Sequence, residues 1–269
     1  MHLFRPLEES LINLLESLST SDWIKPTIAG QWLVKDVAAH LLDGNIKALS
    51  MQRDRYFGEQ SPSEPGYQGL VEWLNQLNAN WIKAAKRISP EVLLLLHKST
   101  GIQACDYFES LDPWEEAIFP VDWAGESKSY NWMHMAREFS EKWHHQQQIR
   151  DATGREGIMT RELFIPFINT YFMALPHTFR NVAAKPGTNV RVIIPGELGG
   201  DWFMTKKEEG WLLTDEVPTS SESSVEVPPE ISWKLFSKNL RPSDIIEQVR
   251  ISGDTDLGTK VLEMVSVMA

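Results

Sequence analysis

Residues 137–154 read REFSEKWHHQQQIRDATG, and this stretch predicts the last turns of a long helix that stops at Gly154. Because each helical residue turns by about 100°, one side of this helix is expected to carry an apolar stripe of Trp132, Ala136, Phe139 and Trp143. On the opposite side, Glu141 and His145 lie one turn apart and can reach one ligand, close to Gln148. His144 points in another direction. An ordinary solvated helix face would show the same pattern.

A third ligand would turn this pair into a metal site, because zinc sites that do chemistry use three protein ligands and keep one position open. His40, within WLVKDVAAHLLDGN at residues 32–45, is the best candidate. The alternative for His40 is a histidine that is hydrogen-bonded at the edge of the core. Cys105 is the single cysteine, which excludes a multi-cysteine site and leaves histidine and carboxylate as ligands.

The first 155 residues are predicted to be all-helical, because their apolar residues recur at the spacing of one helix face. The predicted helices are 6–18, 31–50, 67–89, 90–111 and 132–152. The remainder changes character and predicts a second, α+β domain. It begins with a helix over 160–182 and continues with short β-rich runs from residue 188, a strand over 245–254 and a last helix over 256–268.

Composition limits the possible partners of the chain. The net charge of −11 over 269 residues is unsuited to nucleic acid. The sequence contains no run of apolar residues long enough to span a membrane, and no basic region followed by an apolar run at its start. A soluble, cytoplasmic protein is therefore expected, and its oligomeric state is left open.

The segments at 32–45 and 137–154 together resemble the DinB-like metal-binding four-helix bundles, and within them the mycothiol-dependent maleylpyruvate isomerase family. The resemblance implies a DinB-like bundle over residues 1–157, followed by a small α+β domain over 158–269 that is related in shape to sterol carrier proteins. By motif position it implies that His40, Glu141 and His145 are the metal ligands.

The resemblance also indicates further residues of the site. Many relatives carry Asp at the position of Gln148, and glutamine is expected to contact a ligand or the substrate without binding the metal. Asn45 and Trp143 are expected to line the pocket that holds the thiol, and the alternative for both is packing or surface exposure. The family uses a basic residue from its C-terminal domain, in a segment similar to SWKLFSKNLRP, which points to Lys238 or Arg241 as catalytic candidates.

The resemblance implies an enzyme in which a divalent metal, with zinc favoured by the donor set, activates a low-molecular-weight thiol. The thiol would attack a small electrophilic substrate and isomerise or conjugate it. A metal-dependent hydrolase on the same bundle is one alternative. The other is a non-enzymatic protein whose C-terminal domain holds a small hydrophobic ligand. Neither the thiol nor the electrophile is identified by these residues.

Overall fold

A computed structural model gives the structure of the chain and describes residues 2–58, 66–118 and 128–266. The chain divides into two compact units, Met1–Ile158 and Met159–Ala269. The described part of the first unit is helical, and the second unit combines helices with a five-stranded sheet. The predicted α+β fold class is thereby confirmed. In the described part of the chain, no helix is both long and apolar enough to cross a membrane.

The first unit forms its helices where the apolar spacing predicts them: α1 (Phe4–Glu16), α2 (Val34–Lys47), α3 (Gly66–Ala85), α4 (Pro90–Ser110) and α5 (Asn131–Thr153). Local signals set their ends. At the start of α4 the Ser89 hydroxyl accepts a hydrogen bond from the Val92 N–H, and Pro90 occupies a position where no N–H is needed. At the end of α5, Gly154 adopts a left-handed φ of 65°, as its position predicted.

Four of these helices form a closed ring. Helix α1 packs against α4, α4 against α2, α2 against α5, and α5 against α1. This arrangement is a four-helix bundle, and α3 lies on the outside of α2. The buried apolar residues that join the ring include Leu11, Leu15, Val37, Leu93 and Ile149. Since α2 and α5 are neighbours in the ring, side chains on their facing sides can meet.

The second unit contains α6 (Arg161–Phe172), α7 (Leu175–Phe179), β1 (Asn189–Ile194), β2 (Gly200–Lys206), β3 (Trp211–Thr214), β4 (Ser223–Glu226), α8 (Pro229–Leu235), α9 (Pro242–Ile245), β5 (Arg250–Gly253) and α10 (Thr255–Leu262). The strand order is β3-β2-β1-β4-β5. Strands β1 and β4 are parallel, and the other neighbours are antiparallel. Alternate residues of β1 are buried, so one face of the sheet forms the core of this unit.

Three elements of this unit are shorter than predicted, and one of them is the last helix, which was expected over 256–268 and ends at Leu262. The helix expected over 160–182 divides into α6 and α7, because Pro176 lacks the N–H of a helix interior and occupies the first turn of a new helix. The strand expected over 245–254 forms only at Arg250–Gly253. Ile245 ends α9 instead, whose first turn is closed by a hydrogen bond of 2.9 Å from the Arg241 N–H to Asp244 Oδ2.

Candidate metal centre

Three side chains from α2 and α5 meet at one point. His40 comes from α2, and Glu141 and His145 come from successive turns of α5. One ligand atom from each lies within 4.8 Å of the other two. Glu141 Oε1 lies 3.5 Å from His40 Nε2 and 3.4 Å from His145 Nε2. No second group of this kind occurs in the described residues.

These distances fit a metal ion better than direct hydrogen bonds. Charge-assisted hydrogen bonds of this type measure about 2.7–2.9 Å, which is shorter than both separations. A tetrahedral zinc ion with bonds of about 2.0–2.1 Å has ligand-to-ligand edges of about 3.3–3.4 Å. Glu141 Oε1 therefore lies nearly as far from each imidazole nitrogen as two ligands of one zinc ion lie from each other.

The environment of the three side chains leaves one direction open. The side chains of His40 and His145 are 13% and 12% exposed, whereas that of Glu141 is 35% exposed. The Trp32 ring lies beside both imidazoles, with centroid distances of 5.0 Å to His40 and 6.2 Å to His145. A ligand can therefore approach from the side of Glu141, while Trp32 covers the imidazole rings.

The orientation of His145 is set by Gln148. Gln148 Oε1 accepts a hydrogen bond of 2.8 Å from His145 Nδ1, so the Nε2 lone pair of His145 faces Glu141. The Gln148 amide nitrogen donates to His144 Nε2 at 2.8 Å. His40 Nδ1 is buried without a hydrogen-bond partner among the described residues. Gln148 thus connects the two adjacent histidines although helical phase separates them.

The solvated helix face considered from the sequence does not describe α5. Helix α5 is buried on several sides, and its buried residues include His144, Gln146 and Gln148. Buried polar groups of this kind are retained where they have hydrogen-bond partners. His144, Gln146 and Gln148 therefore belong to the interior of the bundle and do not face solvent.

The charges in the centre suit a divalent cation. Burial lowers the pKa of His40 and the neighbouring His145 adds to this effect, which keeps His40 neutral. Burial also lowers the pKa of His145, but the Glu141 carboxylate outweighs it and raises that pKa above its ordinary value. Burial raises the pKa of Glu141, but its interactions with the His145 and His40 imidazoles outweigh burial and hold that pKa well below its usual range. Burial lowers the pKa of His144 to about 3. Neutral imidazoles and an ionised carboxylate are the forms that bind metals.

Replacing Gln148 with leucine is expected to weaken zinc binding by about 10–100-fold, the usual loss when the hydrogen-bond partner of a ligating histidine is removed. Leucine cannot accept a hydrogen bond from His145 Nδ1, so the imidazole ring loses its fixed orientation. Competition with a chromophoric chelator measures the affinity. Gln76→Leu, at an exposed glutamine of α3, is the control. Equal zinc affinity in wild type and Gln148→Leu would show that Gln148 does not orient the ligand.

Asn45 and Trp143, expected to line the pocket, are both fully buried at 0% exposure. Asn45 Oδ1 accepts a hydrogen bond from Lys142 Nζ. The Trp143 indole N–H donates to the Ile158 carbonyl at 3.3 Å. Each side chain has a partner within the protein, and contact of either one with a bound thiol stays a prediction.

The two catalytic candidates, Lys238 and Arg241, lie in the second unit. Lys238 is exposed and has a left-handed φ of 63°. Arg241 is also exposed and precedes α9. A catalytic role for either one stays a prediction. Cys105 is buried, and burial raises the pKa of its thiol to about 12, which makes it a poor nucleophile.

A buried ion pair was missed by the sequence analysis. Glu8 of α1 is 1% exposed and accepts a hydrogen bond of 2.8 Å from Lys142 Nζ. The available signal was the position of Glu8, which follows Phe4 by four residues and precedes Leu11 by three, in line with the core-facing side of α1. A charged residue at such a position indicates a buried partner.

Acid is expected to destabilise the bundle through Glu8. Burial raises the pKa of this carboxyl, but the charge of Lys142 and the side chain of His97 outweigh burial and lower it to about 2 from 4.5. Because the folded value is the lower one, this stabilisation is complete above the unfolded-state pKa and is lost as the pH falls toward 2. Between pH 7 and about pH 3 the loss amounts to about 2 kcal/mol.

Urea unfolding at several pH values measures this loss. In Glu8→Gln the same acidification should remove less stability, because the titrating group is absent. An equal loss in wild type and variant would assign the acid sensitivity to other carboxyl groups.

A cleft of about 870 Å³ lies on the second unit. Its lining includes Arg161, Arg191, Asp201 and several serine and threonine hydroxyls. Arg191 Nη2 lies 2.8 Å from Asp201 Oδ1. The same lining includes the apolar side chains of Ile165, Trp202 and Phe203, so a hydrophobic ligand, as considered from the sequence, stays a prediction.

This geometry defines the class of protein. It is a helical bundle in which two histidines and one glutamate, from two helices, form a set of potential metal ligands that is accessible from one side. The chain belongs to the family described as mycothiol maleylpyruvate isomerase N-terminal domain, which matches residues 4–150. No curated protein matches the chain. The family predicted by resemblance is confirmed.

Solved structures support the fold over both units. Two crystal structures of the mycothiol-dependent maleylpyruvate isomerase, one of them a histidine-to-alanine mutant, are similar at a TM-score of 0.53 and 11% identity. The similarity covers 89% of this chain and 88% of that chain. Sterol carrier protein 2 like 2 from Aedes aegypti matches 31% of this chain and 80% of that chain at 22% identity. Its TM-score of 0.25 is too low to compare the folds, and the sterol-carrier-like shape stays a prediction.

Proposed function

We propose that this chain is a metal-dependent isomerase that uses a low-molecular-weight thiol, mycothiol or a close analogue, to isomerise a small electrophilic substrate. The convergence of His40, Glu141 and His145, with the Glu141 carboxylate at a zinc-like separation from each imidazole, is the observation that carries the proposal. The family match supplies the thiol and the reaction class. As a thiol-using enzyme it would act in the cytoplasm, where small thiols are kept reduced.

In this proposal His40, Glu141 and His145 hold one divalent cation, and nitrogen and carboxylate donors favour zinc. When bound, the cation supplies the positive charge that stabilises a thiolate near neutral pH. Gln148 holds the His145 ring in place, and Trp32 shields the imidazoles from water on one side. Glu141 neutralises only one of the two cation charges, so an anionic thiolate remains favoured.

The thiol would act as a nucleophilic catalyst. Its sulfur forms a bond to an electrophilic carbon of a C=C double bond conjugated to a carbonyl group, and the π electrons move to the carbonyl oxygen. The former double bond is then single and can rotate. When the electrons return, the C–S bond breaks, the double bond re-forms in the other geometry, and the thiolate leaves unchanged. Capture of a proton at carbon would retain the thioether and make the protein a transferase.

Thiol dependence tests this function. The zinc-loaded protein is incubated with maleylpyruvate, with and without mycothiol, and the cis-to-trans conversion is followed by proton NMR. Conversion is expected only when protein, metal and thiol are all present. A matched incubation with ester and amide substrates tests the hydrolase, and hydrolysis without added thiol would favour that alternative.

A further inference from the structure

One polar side chain from each helix of the ring meets in the centre of the bundle: Glu8 of α1, Asn45 of α2, His97 of α4 and Lys142 of α5, here named the core polar cluster. Their exposed fractions are 1%, 0%, 0% and 7%, respectively. The core polar cluster is separate from the three proposed metal ligands, which face a more open part of the same unit.

Glu8, Asn45 and Lys142 are hydrogen-bonded to one another, and His97 lies beside Glu8. Lys142 Nζ donates to Glu8 Oε2 at 2.8 Å and to Asn45 Oδ1. Asn45 Nδ2 lies 3.5 Å from Glu8 Oε1, and His97 Nδ1 lies 3.9 Å from the same oxygen. Gly101 of α4 makes room for the cluster, because a Cβ at this position would overlap the Glu8 carboxylate. The polar contacts of the cluster therefore join neighbouring helices of the ring, and they also join α1 to α2, which lie on opposite sides of it.

The core polar cluster is not needed for stability alone. Taking a lysine and a glutamate out of water opposes folding, and apolar side chains of similar volume often serve a core as well or better. Hydrogen bonds differ from apolar contacts in being directional, so a buried polar group can fix the register between helices. The question is which register in this bundle has to be fixed.

The two helices that carry the proposed ligands, α2 and α5, are among the four that the core polar cluster joins. Lys142 follows Glu141 directly on α5, and its ammonium group is bonded to Asn45 on α2. The backbone of α2 just before His40 is also held. The Ala38 carbonyl accepts from His97 Nε2 at 2.9 Å, and the Ala39 carbonyl accepts from the Trp81 indole N–H at 2.7 Å.

Rotation of either helix would move the ligands substantially. A side chain atom about 5–6 Å from the helix axis shifts by about 1 Å for each 10° of rotation. Metal bonds tolerate deviations of only about 0.2 Å. Apolar packing alone allows larger adjustments than this. A fixed rotational register of α2 against α5 is therefore a condition for a tight three-ligand site.

We infer that the core polar cluster is a positioning device, which holds α2 and α5 in the register that brings His40 to Glu141 and His145. The inference rests on the proposed metal site. Asn45 and Lys142 act through the helices that carry the ligands and touch neither the metal nor the substrate. The sequence predicted that Asn45 contacts the thiol, whereas in this inference Asn45 holds α2 in register with α5.

The test separates metal affinity from folding. A triple variant, Glu8→Met with Asn45→Leu and Lys142→Met, replaces the polar links by apolar side chains of similar size. Asn45→Leu alone removes the link between α2 and α5 and keeps the ion pair. Leu14→Ala, which opens a cavity in the core of α1, is the control for a loss of stability. Each metal-free protein is first characterised by urea unfolding and then titrated with zinc against a chelator.

The triple variant and Asn45→Leu are expected to bind zinc at least about tenfold more weakly than wild type. Their Co²⁺ derivatives should show a changed visible absorption spectrum, because the three ligands are no longer held in the same arrangement. Leu14→Ala should bind zinc within about twofold of wild type despite its lower stability. Folded variants that bind zinc as tightly as wild type would overturn the inference. A wild type that binds no zinc would instead remove the proposed function.

Discussion

Replacing His40 with alanine is expected to lower thiol-dependent turnover by about a thousandfold or more. The variant loses one of the two imidazole donors, and a pair of ligands from adjacent turns of α5 remains. Transition-state stabilisation by a metal amounts to several kcal/mol, which corresponds to about three powers of ten in rate. Metal content measured after gel filtration should fall from about one ion per chain to less than about a tenth.

The matched control is another histidine of the same unit. His134 lies on α5 and is hydrogen-bonded to Gln52 Oε1 at 2.8 Å. His134→Gln removes an imidazole but leaves all three proposed ligands in place, so its metal content should be unchanged. Full metal occupancy in His40→Ala would contradict the assignment of His40 as a ligand. Equal metal loss in both variants would show that the effect is not specific.

Replacing Lys142 with methionine is expected to lower the free energy of unfolding by about 3–5 kcal/mol at pH 7. The Glu8 carboxylate would remain buried at 1% exposure without its cationic partner. Methionine fills a similar volume, so the loss reports on charge rather than on a cavity. Urea denaturation followed by circular dichroism measures the change.

An exposed ion pair on the same bundle gives the control. Lys98 pairs with Glu16, and the two side chains are 46% and 44% exposed. Lys98→Met should change the free energy of unfolding by less than about 1 kcal/mol, because solvent screens such pairs. If Lys142→Met lost as little as Lys98→Met, the Glu8 carboxyl would have to be protonated or hydrated in the folded protein.

Most of the bundle could be predicted from the sequence, because its helices are amphipathic and have clear ends. The apolar spacing of α1 and the glycine after α5 are local signals, and both were interpreted correctly. The pairing of Glu141 with His145 follows from the spacing of one helical turn. Their meeting with His40 depends on which helices are neighbours in the ring, and only the family resemblance supplied that information.

The surroundings of the site could not be predicted in the same way. Helical phase alone places Gln148 on a polar face, and a polar face is ordinarily solvated. In the bundle Gln148 is buried, and its amide group is hydrogen-bonded to His144 and His145. The partnership of Glu8 and Lys142 joins residues that are 134 positions apart, a separation beyond any local pattern.

Titration of the metal-free wild-type protein with zinc in a calorimeter is the most direct test of the metal centre formed by His40, Glu141 and His145. Saturation at one equivalent per chain is predicted, together with loss of that saturable binding in His40→Ala. The absence of saturable binding in wild type, or unchanged binding in His40→Ala, would contradict the metal centre.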